Sequence, residues 1–96
     1  MERLKISEQD IINAICIYIA DKKQVRPVEV EVELMYDDDY GFSAEVYVNG
    51  RQQILIMLNI IEALRLWLDH MLNRDPYAGI ELVLDDNEGI IAYVKE

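Results

Sequence analysis

Two stretches of this chain lie on one another without a gap. The run VELMYDDDYGFSAEV at 32–46 aligns with IELVLDDNEGIIAYV at 80–94. Seven of the fifteen positions are identical: Glu33/Glu81, Leu34/Leu82, Asp37/Asp85, Asp38/Asp86, Gly41/Gly89, Ala44/Ala92 and Val46/Val94. In each, alternating apolar residues flank an Asp-rich turn that ends in Gly, the pattern of a β-hairpin. The helical runs IINAICIYI at 11–19 and IIEALRLWL at 60–68 also correspond, with Ile11, Ile12 and Ala14 matching Ile60, Ile61 and Ala63, and Tyr18 meeting Trp67. The offset is 49 residues for the helices and 48 for the hairpins. We read this as an internal αββ repeat with units at about 8–48 and 57–96. Each unit alone would leave a helix stripe and a sheet face uncovered, so the halves are expected to close about a pseudo-twofold axis.

Local signals set the element ends. Ser7 is placed to cap a helix, with Asp10 completing an S-x-x-D capping box and Ile6 and Ile11 forming a hydrophobic staple. The helix is predicted to run to about Lys23. There Lys22 and Lys23 suit the negative end of its dipole, and Pro27 forbids continuation. Residues 28–36 alternate as V-E-V-E-V-E-L-M-Y, a half-buried strand, and a second strand carries Phe42, Ala44, Val46 and Val48 inward. Asn49-Gly50 is a hairpin signal. A two-residue turn would pair Val48 with Arg51 and send Arg51 and Gln53 to the core side. A three-residue loop with Gly50 in a bulge would bring Ile54, Ile56 and Leu58 inside instead, and we expect the latter because it keeps the apolar pattern in register. Asn59 is expected to cap the second helix, with Glu62 as its box partner, and Pro76 lies beyond its end at about Asn73. A last hairpin joins 80–85 to 90–94.

The expected fold is α+β: one domain over 1–96, a two-layer α/β sandwich ordered α-β-β-β-α-β-β. The hairpin at Asn49-Gly50 occupies one side of the second strand and leaves the first to meet the fourth. This predicts a five-stranded antiparallel sheet, order 3-2-1-4-5, with both helices on one face. The predicted core is Ile12, Ile15, Val32, Leu34, Ala44, Val46, Ile61, Leu64, Leu68, Leu82, Leu84, Ala92 and Val94.

Asp and Glu number 19 against 9 Lys and Arg, a net charge of −10. That field repels phosphate backbones and anionic lipids, so neither nucleic acid nor a membrane is an expected partner. The densest basic cluster, Lys22, Lys23 and Arg26, is diluted by Asp21. Hydrophobic residues make up 52%, enough for one buried core. The opening MERLKISEQD is too polar for a secretory signal, and Asn13 and Glu62 break the apolar runs short of a membrane span. With a single cysteine, Cys16, no internal disulfide forms, and the cytoplasm is the expected location.

No residue set points to catalysis. Cys16 has no second cysteine, and His70, the single histidine, belongs to the other helix and has no ligand-spaced companion. A calcium loop needs D-x-[DN]-x-[DN]-G and a later Glu, whereas Gly41 comes one place too early, so the Asp-rich turns read as solvated hairpin turns. No phosphate loop or nucleophile elbow is present. We therefore expect no catalytic residue, no cofactor and no metal. The apolar surface says more. The strand faces opposite the core carry Met35, Tyr47, Leu55, Met57, Val83, Ile91 and Tyr93 beside the glutamates, and Cys16 stands where the second helix carries Arg65. Surfaces of this kind mark interaction sites. The expected interface residues are Cys16, Ile17, Met35, Tyr47, Leu55, Met57 and Tyr93.

The stretches ISEQDIINAICIYIADKKQVRP, VEVELMYDDDYGFSAEVYVNGRQQIL and DPYAGIELVLDDNEGIIAYV resemble DUF2653, a family of small uncharacterised bacterial proteins, over nearly the whole chain. That resemblance implies no activity and carries over no functional residue. The order strand–helix–strand–strand from Ile54 is similar, as a fold, to one half of the tandem small-ligand-binding domains of the GyrI type. The matching strand before the first helix would be at most residues 3–6. The expected function is a non-enzymatic protein-interaction module, a homodimer. The alternative is a small-molecule-binding module with a ligand between the pseudo-symmetric halves. A flat apolar patch favours the first, and a pocket with convergent polar groups favours the second.

Overall fold

The computed structural model describes residues 3–73, 75 and 77–95. A short strand, β1 (Arg3–Ile6), leads into α1 (Glu8–Lys23). Ser7 caps that helix, its Oγ accepting the Asp10 N–H at 3.1 Å, and Ile6 and Ile11 on either side are both buried. Gln24 ends it in a left-handed conformation, and its N–H donates to the Ala20 carbonyl. A 3₁₀ turn, Pro27–Glu29, follows, braced by the Arg26 N–H donating to Glu29 Oε2. The first predicted strand therefore begins only at Val30. After it come β2 (Val30–Asp37), β3 (Gly41–Val48), β4 (Arg51–Ile56), α2 (Met57–Met71), β5 (Gly79–Asp85) and β6 (Gly89–Lys95).

The strands form two three-stranded antiparallel sheets, β2-β3-β4 and β1-β6-β5. This corrects the single five-stranded sheet of order 3-2-1-4-5: β2 and β5, the predicted first and fourth strands, are not hydrogen-bonded neighbours. One physical reason stands out. The N-terminal residues form a sixth strand that pairs with β6, Ile6 opposite Ala92, so that sheet is completed from its other side. Helix α1 instead spans the junction, packing on both β2 and β6, while α2 packs on β3, β4 and α1. The predicted repeat units at 8–48 and 57–96 do not stand as self-contained modules, because the strand before each helix pairs with the other hairpin: β1 with β6, and β4 with β3.

The turn at Asn49-Gly50 is the two-residue form, not the predicted three-residue loop. Asn49 and Gly50 have φ of 51° and 79°, and Val48 pairs with Arg51. Both positive angles suit the right-handed twist of the hairpin. The one-residue change of phase turns Leu55 inward and leaves Ile54, Ile56 and Leu58 exposed. Helix α2 then starts directly at Met57, so Asn59 is its third residue rather than its cap, and its Oδ1 accepts the Ile56 N–H at 3.1 Å.

The core holds Ile15, Ala44, Val46, Leu64, Leu68, Ala92 and Val94 as predicted, with Val32, Leu34 and Leu82 half-buried against it. In the first turns of the helices the buried position is one residue earlier than predicted: Ile11 and Ile60 are fully buried, whereas Ile12 and Ile61 are half-buried. Leu84 is exposed, since β5 is an edge strand and Leu84 lies at its far end.

Candidate functional site

The residues expected to form an interface do not converge on one surface. Leu55, placed outside by the three-residue loop, is 2% exposed and belongs to the core. Ile91, expected on the same outer face, is also buried. Tyr47 is half-buried and engaged: its hydroxyl donates to Glu45 Oε2 at 2.7 Å and accepts from Gln52 Nε2 at 3.2 Å. The bond to Glu45 favours the neutral phenol and, with partial desolvation, raises its pKa. Met35 and Tyr93 are half-buried, and Met57 is exposed at the start of α2. Cys16 is half-buried, its Sγ donating to the Val30 carbonyl at 3.5 Å, and burial pushes its thiol pKa up. A protonated, occupied thiol of this kind is a packing group.

Ile17 does lie on an open apolar surface. The helices run side by side in opposite directions, so that Asp10 at the start of α1 shares a hollow with Leu72 just past α2. Between them runs a groove of about 310 Å³ whose wall includes Ile17, Leu66, Trp67 and Met71, with Tyr18, Asp21 and His70 as its polar members. The hollow beside it continues the apolar wall through Cys16, Val28 and Leu72.

A second concavity has the opposite character. Where α1 ends it faces β4 and the first turn of α2, enclosing a cleft of about 140 Å³ lined by Tyr18, Ile19, Lys22, Lys23, Gln53, Leu55 and Asn59. A larger cleft of about 510 Å³ adjoins it through the shared walls of Lys23 and Gln53, and is lined also by Asn49, Arg51 and Gln52. The two-residue turn turns Arg51 and Gln53 to this side, and both remain exposed at the sheet margin, so neither is forced into the core. In the sequence this turn is disfavoured, because it aims two polar side chains inward. That conflict was the signal: polar residues on a core-facing register mark a place where water or a ligand reaches the sheet.

Tyr18 walls this cleft and is 5% exposed, yet its hydroxyl has no hydrogen-bond partner among the described residues. Lys22 Nζ stands over its ring, 4.6 Å from the centroid. The polar contact with the Tyr18 oxygen, and more distantly the charge of Glu62, raises the Lys22 pKa. That contact falls short of hydrogen-bonding geometry, and an ammonium has only protons to offer, so the hydroxyl proton is left without an acceptor.

Among the described residues, no group of three or more His, Cys, Asp or Glu is placed to hold a metal ion, and no helix is long and apolar enough to cross a membrane. His70 is exposed and its nearest carboxylate, Asp69, is 3.9 Å away on the same helix.

No solved structure matches the chain. It is 34% identical over 94 residues to the uncharacterized protein YxcD of Bacillus subtilis (strain 168), an alignment that covers 96% of this chain and 92% of the relative. Residues 1–87 match the family described as protein of unknown function, DUF2653. With that span and that relative, the chain belongs to the DUF2653 family.

Proposed function

We propose that this protein is a non-enzymatic interaction module that associates with a second copy of itself through the outer face of the α1–α2 pair. The observation that carries the reading is the groove between the helices. Around Trp67, the side chains of Ile17, Leu66, Met71 and Leu72 remain 38%, 42%, 58% and 40% exposed. Contiguous apolar surface of this kind is costly to leave in water and is the usual centre of an interface. The charge of −10 opposes self-association. The groove answers this by keeping charge to a few positions at its margin, Asp10 and Asp21, so a symmetric pairing need not bury a carboxylate.

The test is the solution mass by light scattering. At about 100 μM, a concentration at which weak specific pairs are populated, the wild-type protein should have the mass of a dimer. Ile17→Glu should return it to monomer with an unchanged circular dichroism spectrum. A wild-type protein that is strictly monomeric at that concentration removes the proposal.

A further inference from the structure

The cleft at the end of α1 shares Tyr18 with the helix-pair groove and differs from it in charge. No Asp or Glu lines either of its two parts, although 19 of the 96 residues are acidic. Three cations do: Lys22, Lys23 and Arg51. On a chain of net charge −10, three cations line these walls with no carboxylate among them, and Glu62 acts on Lys22 from outside.

Hydrogen-bond donors point the same way. The first turn of α2, which contributes Asn59 to the wall, starts without a side-chain cap. Asn59 Oδ1 is spent on the Ile56 N–H. The N–H groups of Met57, Leu58 and Asn59 precede the first intrahelical bonds and have no side-chain acceptor among the described residues, and the turn carries no acidic residue. The positive end of a helix dipole is thus left unanswered. The opposing negative end of α1 is muted: the Ala20 carbonyl accepts from the Gln24 and Val25 N–H groups, and the Asp21 carbonyl from Gln24 Nε2 at 2.7 Å. The buried Tyr18 hydroxyl adds a donor without an acceptor in the same wall. A buried polar group left unpaired is destabilising, so its presence there calls for a partner that arrives from outside.

We propose that this cleft binds a small oxyanion, the phosphate or carboxylate group of a small molecule, with Lys22 and Lys23 supplying charge and the Tyr18 hydroxyl and the Asn59 N–H, the wall's share of the α2 first turn, supplying donors. The 140 Å³ part admits a compact anionic head, and the adjoining 510 Å³ part, along Gln53 to Arg51, has room for the body of the molecule. The charge supplied by Lys22 and Lys23 gives affinity, and the oriented donors select an oxyanion over a spherical halide.

The experiment titrates ¹⁵N-labelled full-length protein with sodium phosphate, and separately with sodium acetate, at constant ionic strength set by sodium chloride. The amides of Met57, Leu58 and Asn59 should shift and saturate with at least one of the two anions, and which one does so distinguishes phosphate from carboxylate. Lys22→Ala/Lys23→Ala, both at exposed positions, should weaken binding by about tenfold or more, as loss of charge-assisted bonds does. Tyr18→Phe should weaken it by about threefold while leaving the protein as stable as wild type or more so, because it removes an unpaired hydroxyl. Shifts that stay linear with both anions, or that chloride reproduces, overturn the proposal, as does saturation that neither variant alters.

Discussion

The turn at residues 37–41 and the turn at residues 85–89 share their internal geometry and differ in what holds them. In the first, Asp37 Oδ1 accepts the Asp39 and Tyr40 N–H groups at 2.7 and 3.1 Å; in the second, Asp85 Oδ1 accepts those of Asn87 and Glu88 at 2.8 and 2.9 Å. Gly41 and Gly89 both close their turns at φ 77°. Among the described residues, only the second turn is docked. Glu8, in the first turn of α1, accepts the Ile90 N–H at 2.9 Å, and Lys5 on β1 reaches Glu88 at 2.7 Å. In the helix alignment the places of Lys5 and Glu8 are taken by Ile54 and Met57, which are apolar and offer no such contact. Turn shape is therefore local chemistry that seven shared residues can specify twice, whereas docking depends on side chains some eighty positions away that only one half possesses.

Glycine substitution separates the two layers most sharply. Alanine at either Gly41 or Gly89 meets the left-handed penalty of about 1–2 kcal/mol. Around Gly41 a new Cβ meets nothing within 4 Å, but at Gly89 it would come 2.5 Å from Glu8 Oε2. That carboxylate is the end of a flexible side chain and can withdraw, at the cost of its bond to the half-buried Ile90 N–H. Gly89→Ala should therefore exceed Gly41→Ala by about 1–3 kcal/mol in urea unfolding, the cost of an amide left unpaired. Glu8→Ala alone should cost about the same amount for the same reason. In the Glu8→Ala background, Gly89→Ala should cost no more than Gly41→Ala does in the wild type. Equal effects of the two glycine changes in the wild type would mean that Glu8 does not discriminate the turns.

Much of this was legible in the sequence, for identifiable reasons. The Ser7 cap, the Asp-x-x-x-Gly turns and the alternation of β3 act over a few residues, and each formed where expected. The family was readable from extended runs of sequence. The misses have two causes. Whether Asn49-Gly50 closes a two- or three-residue loop is a choice between close conformations, and a single step of phase moved Leu55 into the core and Ile54, Ile56 and Leu58 out. β1 is four residues of weak pattern, RLKI, stabilised by a partner strand near the other end of the chain; the fold likeness allowed a strand at 3–6, but the local pattern alone did not place one in the expected element order. The site followed the same logic. Arg51 and Gln53 were visible as polar residues on a core-facing register, but the cleft that accommodates them exists only because α1 ends above them.

A smaller effect probes the docked turn through pH. The Asp85 carboxyl is held below the ordinary aspartate range by the Glu88 N–H first and the Asn87 N–H next, with Lys5 assisting and desolvation opposing. A carboxyl whose pKa is depressed on folding stabilises the protein above its unfolded value, and that contribution disappears as the pH falls through the folded value. The urea midpoint of the wild type should therefore drop on acidification below the ordinary aspartate range. Asp85→Asn keeps an Oδ1 acceptor but no titrating proton, so its midpoint should fall less steeply there. Parallel profiles for the two proteins would show that the amide bonds do not discriminate between the charged and neutral carboxyl.

The Lys5–Glu88 pair should contribute least. Both side chains are nearly half exposed, 45% and 46%, so water and salt screen the attraction even though both Glu88 oxygens lie within 2.9 Å of Nζ. The contact with Glu88 raises the Lys5 pKa, first through the hydrogen bond and then through charge. A lysine whose folded pKa is raised contributes its stabilisation fully below the unfolded value and loses it as the pH climbs through the folded one. Lys5→Met keeps the aliphatic stem on β1 and removes only the charge. Its stability should lie just below wild type at neutral pH and low salt. The two should converge in about 1 M sodium chloride, where screening acts within a few ångströms, and again in strong alkali. Glu8→Ala, which removes a hydrogen bond to a half-buried amide, should show no such convergence with salt. If Lys5→Met instead matched Glu8→Ala at every salt concentration, the second turn would be held by its ion pair as firmly as by its backbone bond, and the ordering argued from exposure would fail.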